Sequence, residues 1–196
     1  SCGDEPVLGV VDPSDATITA VPALGFRATA PASIGLNGVS ARVVARGDAA
    51  RDAIGRARLA AWIGGAALAV GSANGAIEHA RRHAAERYAF GKPLLGQQAV
   101  ARKLVESRRR AEAARHLAFH AARLADSGHD ARETAMLAKI TAVDAAVHAA
   151  DEAIQIHGGY GYTVEYHVER HYRDAKTLEV IDGGIESLCD ALGPTA

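Results

Sequence analysis

The chain has 196 residues, 48% of them hydrophobic, and its 22 Lys and Arg against 23 Asp and Glu leave a formal net charge of -1. That balance excludes the basic face a nucleic-acid binder needs; even Arg108-Arg109-Arg110 is offset locally by Glu106 and Glu112. The length suits one globular core with an appendage, Cys2 and Cys189 lack metal-ligand spacing, and no N-terminal apolar run has signal-peptide form, so a soluble protein of the reducing cytoplasm is expected.

Residues 1–47 are rich in Val, Thr, Ile, Pro and Gly, and the short runs 7–11, 17–21 and 40–44 predict strands. Asp12-Pro13-Ser14-Asp15 and Leu36-Asn37-Gly38 predict turns, the second with Asn-Gly chemistry suited to a tight hairpin. Three or four such strands need partners to complete a sheet, so 1–47 is read as a partial β-domain.

From Asp48 the texture changes to long-period, Ala-rich helix, and 48–196 is read as a helical domain. Helices are predicted at about 49–86, 96–126, 130–157 and 164–176, with a short one after 184. In the second, Val100, Leu104, Ala111, Ala114, Leu117, Ala121 and Leu124 form one stripe. In the third, a stripe from Ala135 through Ala138, Ala142, Ala146, Ala150 and Ala153 to His157 is broadened by Leu137, Ile140, Val143, Val147 and Ile154, so that helix is buried on more than one side. Asp126-Ser127-Gly128-His129-Asp130 is a compact interhelical loop carrying its own stop and cap residues. The apolar run 59–70 is about half of the ~20 residues a membrane span requires. The expected fold is mainly α: an antiparallel four-helix bundle preceded by a short β segment, with further apolar surface for oligomerisation.

Few residues suggest chemistry by themselves. His79/His83 and His116/His120 are spaced i, i+4, but no third ligand completes a metal site, and surface or intersubunit histidines are the simpler account. No Gly-x-Ser-x-Gly, HExxH or P-loop pattern is present. Gln155-Ile156-His157-Gly158-Gly159-Tyr160-Gly161-Tyr162 ends a long helix in a glycine cluster. It reads either as a helix stop or as backbone in close approach to a ligand such as a phosphate, although a helix C-terminus is the unfavourable end for an anion.

Order adds what the single motifs lack. Arg87-Tyr88-Ala89-Phe90-Gly91-Lys92-Pro93-Leu94 with Gln98, then 155–162, then Glu169-Arg170 and Arg173-Asp174-Ala175-Lys176, resembles the C-terminal half of the acyl-CoA dehydrogenase family motif for motif. The resemblance covers roughly 20–190, and Gly25-Phe26-Arg27-Ala28-Thr29 and Gly38-Val39 look like the end of the family's middle β-domain. It implies that Arg87, Phe90 and Gln98 contact the pyrophosphate and adenine side of FAD, largely across a subunit interface. A guanidinium offers paired donors to phosphate oxygens, and an aromatic gives an apolar wall. It likewise implies that Gln155, Ile156, His157, Gly158 and Gly159 line the ADP moiety of a neighbouring subunit's FAD.

In the resembled mechanism a Glu-Gly-Thr triplet supplies the base that removes the α-proton of an acyl-CoA thioester while a β-hydride passes to flavin. Here Asp182-Gly183-Gly184 stands in its place, with Asp182 as the expected base in a largely water-excluded pocket, Gly183 on the substrate side, and Gly184 and Glu186 on the cofactor side. The acid is one methylene shorter than the family's, and Gly184 lacks the hydroxyl of Thr. Leu59 and Trp62 stand where the family has polar residues on its substrate helix, and the family's N-terminal helical domain is not contained in the sequence. The resemblance implies an FAD-dependent acyl-CoA dehydrogenase, or the C-terminal part of one, working as a homo-oligomer or heteromer and passing electrons to an acceptor such as an electron-transfer flavoprotein. Two alternatives remain: a non-catalytic subunit completing a partner's FAD site, and a related flavin oxidase such as a nitroalkane oxidase, where Asp is used as the base.

Overall fold

A computed structural model describes residues 5–193. The chain divides into two compact units between Ala60 and Ala61, inside the first long helix.

The first unit holds β1 (Val7–Val10), β2 (Thr17–Ala20), β3 (Ala32–Gly35) and β4 (Arg42–Arg46). β1 pairs antiparallel with β4 and β2 with β3, giving two separate two-stranded ladders. Asp12 starts the expected turn after β1 by accepting Ser14 N–H at 2.9 Å, opening the short 3-10 turn Pro13–Asp15. The tight hairpin expected at Asn37-Gly38 does not form, because the strands flanking it belong to different ladders. Gly38, at φ +66°, turns the chain from one ladder to the other: Asn-Gly chemistry supplies the left-handed bend, but β3 takes β2 as its mate. Ile18 and Ile34 lie opposite each other in register with both side chains exposed. A two-stranded ribbon of this kind is at best marginally stable by itself.

The helices are α1 (Gly47–Glu86), α2 (Gln98–Asp126), α3 (Arg132–His157), α4 (Val168–Val180) and α5 (Ile185–Leu192), with a miniature hairpin, β5 (Tyr88–Ala89) and β6 (Lys92–Pro93), between α1 and α2. α4 begins and ends later than the sequence suggests. Val164–Tyr166 forms a 3-10 turn, and His167 at φ +56° breaks it from the helix that follows.

From Ala61 onward the helices form the expected up-down-up-down bundle. α2 and α3 are antiparallel, joined through a Schellman stop in which His129 N–H reaches Leu124 O at 2.9 Å, Gly128 N–H reaches Ala125 O at 3.1 Å, and Gly128 takes φ +74°. Lys103 pairs with Glu152 and Arg110 with Asp144 across the two helices. α1 runs parallel to α3: Gly65 lies against Lys139 near one end, and the His83 and His157 rings stack at 4.2 Å at the other. Eighteen residues separate the two contacts on each helix (65 to 83 and 139 to 157), about 27 Å of axis. α4 returns antiparallel, with His171 beside His79 at 5.3 Å.

Alanine makes the core. The stripe from Ala135 to Ala153 on α3 is sealed from solvent, as are Ala66, Ala69, Ala73, Ala76 and Ala80 on α1, and such short side chains let the helices approach closely. α1 also has an 18-residue stretch apolar enough, by length and composition, to cross a membrane. One third of that stretch is buried in the bundle.

Candidate active site

The residues singled out from the sequence fall into two groups. The first sits at the bundle end where α1 and α3 finish. Tyr88 pairs with Pro93 and Ala89 with Lys92, leaving Phe90-Gly91 as a two-residue turn with φ +54° and +80°. Positive φ at both central positions suits a tight hairpin, but a bulky aromatic in that region is a true outlier. Phe90 is 96% exposed at its tip. The base of the hairpin is tied down by Arg87 N–H to His83 O (2.9 Å), Leu94 N–H to Arg87 O (2.8 Å) and Gln97 Nε2 to Ala89 O (3.2 Å). Gln97 is thus engaged internally, whereas Gln98 is exposed, as is Arg87, which makes no ion pair among the described residues.

At the end of α3 the side chains divide. Gln155, Gly158 and Gly159 are exposed, while Ile156 and His157 are buried. His157 Nδ1–H donates to Ala153 O at 2.7 Å, since a carbonyl can only accept, and its ring packs among His83 and Tyr166. Only the main chain of Ile156 and His157 is therefore available to a ligand. The glycines are distinguished too. Gly158 takes φ +61°, which favours glycine. A methyl group on Gly161 would lie 2.4 Å from Ile154 O, so the close backbone approach there is to the chain's own helix. Around Gly159 there is open space. His79, His83 and His171 are all held below the ordinary histidine value, burial being the largest cause in each case and neighbouring cations and histidines adding to it. No group of three His, Cys, Asp or Glu able to hold a metal occurs among the described residues.

The second group sits at the α4–α5 junction. Within α4, Glu169 accepts from Arg173 at 2.7 Å and Lys176 pairs with Glu179. Asp182, Gly183 and Gly184 then take φ +54°, +103° and +71° in succession. Gly184 N–H closes the turn on Ile181 O at 3.3 Å, and Leu188 N–H reaches Gly184 O at 3.2 Å as α5 begins. Asp182 and Gly183 are exposed among the described residues, with Asp182 Oδ2 on the side of Gly65 of α1. A cavity of about 600 Å³ opens beside the turn, lined by residues that include Val143, Glu179, Val180, Gly184 and Glu186 but not Asp182.

Two residues the sequence reading passed over reach this turn. Trp62 on α1, noted only as a replacement, donates its indole N–H to Asp182 O at 3.1 Å, and Lys139 on α3 donates from Nζ to Ile181 O. Lys139 has no exposed surface. Burial pulls its ammonium below the usual lysine value, with the Asp182 charge acting in the opposite direction. The two groups cannot serve one small ligand within a chain: Lys139, beside Asp182, and His157, at the glycine cluster, lie about 27 Å apart along α3.

An acyl-CoA dehydrogenase of Bacillus subtilis is 49% identical over 121 residues, 62% of this chain and 32% of its own length. Among solved structures, butyryl-CoA dehydrogenase from Megasphaera elsdenii superposes with a TM-score of 0.85 at 28% identity, covering 98% of this chain and 56% of that one. A protein from Mycobacterium smegmatis assigned to the acyl-CoA dehydrogenases gives 0.90 at 29%, covering 96% and 51%. The chain thus spans about a third of the length of the curated relatives it matches. With the profile of the acyl-CoA dehydrogenase C-terminal domain matching residues 47–195, the chain belongs to the acyl-CoA dehydrogenase family.

Proposed function

We propose that this chain forms the C-terminal part of an FAD-dependent acyl-CoA dehydrogenase, with Asp182 as the base that takes the α-proton of an acyl thioester. The observation carrying this reading is the Asp182 turn: a carboxylate on three successive left-handed residues, held from two helices in a chain of this family. The bundle-end group fits the cofactor. Arg87 offers an exposed guanidinium without a carboxylate partner among the described residues, Gln98 and Gln155 offer exposed amides, Phe90 offers an aromatic face at the hairpin tip, and Gly159 leaves its backbone unobstructed. These are donors for phosphate and ribose oxygens beside an apolar wall. Bound flavin would supply the acceptor for the hydride lost from the β-carbon. Asp182 would hold the α-proton on its carboxylate, leaving an α,β-unsaturated thioester. Because Asp182 is exposed in this chain, the walls that exclude water around it belong to other parts of the complete protein or to another copy.

The distance of about 27 Å between the two groups supports an oligomer in which Arg87, Gln98 and Gln155 serve one copy's flavin and Asp182 another's substrate. Asp182→Asn keeps size and polarity but removes basicity. In the complete flavoprotein it is expected to abolish bleaching of the flavin by acyl-CoA while leaving FAD content unchanged, whereas Asp182→Glu keeps the reaction going. Bleaching at the wild-type rate in the Asn variant would place the base elsewhere.

A further inference from the structure

We propose that Lys139 and Trp62 are positioning residues for the Asp182 carboxylate, forming a two-point clamp on the main chain of the turn that carries it. This rests on the reading of Asp182 as the base. Trp62 Nε1 and Lys139 Nζ donate to the carbonyls of Asp182 and Ile181, two consecutive residues gripped from two different helices. The backbone bonds beside them are long: Ile181 N–H to Thr177 O at 3.2 Å, Gly184 N–H to Ile181 O at 3.3 Å and Leu188 N–H to Gly184 O at 3.2 Å.

The turn needs such a grip. A non-glycine residue at φ +54° followed by two more left-handed residues is a conformation that persists only where its surroundings over-determine it. An aspartate has only two side-chain torsions, so its carboxylate goes where the main chain takes it. The clamp also explains an otherwise costly choice. Burying an ammonium is expensive unless it is bonded, and a leucine among these alanines would fill the space without that cost. The lysine stem passes over Gly65, where a methyl group would lie 3.7 Å from Lys139 Cε and 4.0 Å from Asp182 Oδ2. The ammonium therefore reaches the turn across a stretch of α1 that leaves room for both groups. Loss of either grip lets the turn shift, and a displacement of about 1 Å at a reacting group costs about 100-fold in rate.

Trp62→Phe keeps the aromatic body and removes the donor; Lys139→Met keeps the stem and removes the ammonium. In the complete FAD-loaded protein containing this chain, each variant is expected to lower the rate of flavin reduction at saturating acyl-CoA about 10- to 100-fold, with KM changed less than about threefold. In the substrate-free protein, amide exchange in the segment 178–188 is expected to quicken about tenfold while α2 and α3 keep their protection. An unchanged saturating rate in both variants overturns the clamp whatever the exchange shows. An effect confined to KM, or loss of protection throughout the bundle, overturns it as well, since either describes a merely structural residue. If Lys139→Met does not fold, Trp62→Phe decides by the same readouts. Asp182→Asn is measured beside them: if it reduces flavin normally, the assignment of the base fails, whereas normal reduction in the clamp variants with loss in Asp182→Asn removes the clamp alone.

Discussion

Gly159 and Gly161 are two residues apart and answer to different constraints. A methyl group on Gly161 would meet Ile154 O at 2.4 Å and Ile154 Cα at 2.9 Å, main-chain atoms that cannot swing aside. Gly161→Ala is therefore expected to destabilise the fold by about 3 kcal/mol, read as a lower denaturant midpoint with an unchanged slope. Gly159→Ala meets nothing within 4 Å and should leave stability within about 0.5 kcal/mol of wild type, while FAD retention in the complete protein falls if the cofactor packs there. The sequence shows a glycine cluster that demands close approach, but not which glycine is spent on the protein's own helix and which is left for a ligand. Lys139 was hidden for a similar reason. A lysine in a helix ordinarily points to solvent, and only the breadth of the α3 apolar face, which leaves no solvent side at that position, carries the signal that it is buried.

At the scale of elements, the long Ala-rich texture carried the helices well, with a single stripe in α2 and a face broadened to more than one side in α3, and α3 ends at His157 as its spacing predicts. Strand pairing was less legible. Two-stranded ladders with exposed apolar residues leave little burial pattern to fix a mate, so a good turn dipeptide pointed to the wrong partner. The face between α1 and α4 makes a pH prediction. His79, His83 and His171 all have folded-state values below 6.5, so they stay neutral in the bundle while the unfolded chain takes up protons below that pH. Stability from this face is present above about pH 6.5 and is lost as pH falls toward the folded values. Glu106 is lowered from the ordinary 4.5 to about 2 by Arg109 and Arg110, so its contribution is lost only as pH falls below about 4.5. The thermal midpoint is thus expected to fall between about pH 7.5 and about pH 5.5, and His83→Gln with His171→Gln should flatten that fall. An equal slope in the double variant would assign the loss to other groups.

For the whole molecule, the proposed reading, with the two groups about 27 Å apart along α3, predicts that one chain does not complete its own site. If Arg87 serves one copy's flavin and Asp182 another's substrate, defects in the two groups should complement each other. Complete proteins carrying Arg87→Ala or Asp182→Asn alone would each lack working sites, the first because the cofactor is poorly held and the second because no base is present. In a mixed dimer, one site collects both defects and the other receives Arg87 and Asp182 intact. Co-refolding the two variants in equal amounts makes about half of the dimers mixed, each with one working site of two, so about a quarter of wild-type activity should return. Co-refolding matters, because merely mixing assembled oligomers leaves the pairs unexchanged. Activity no greater than the sum of the separate variants would show that both groups act within a single copy, and would require the main chain to bring the bundle end and the Asp182 turn together in a way the parallel packing of α1 and α3 does not allow.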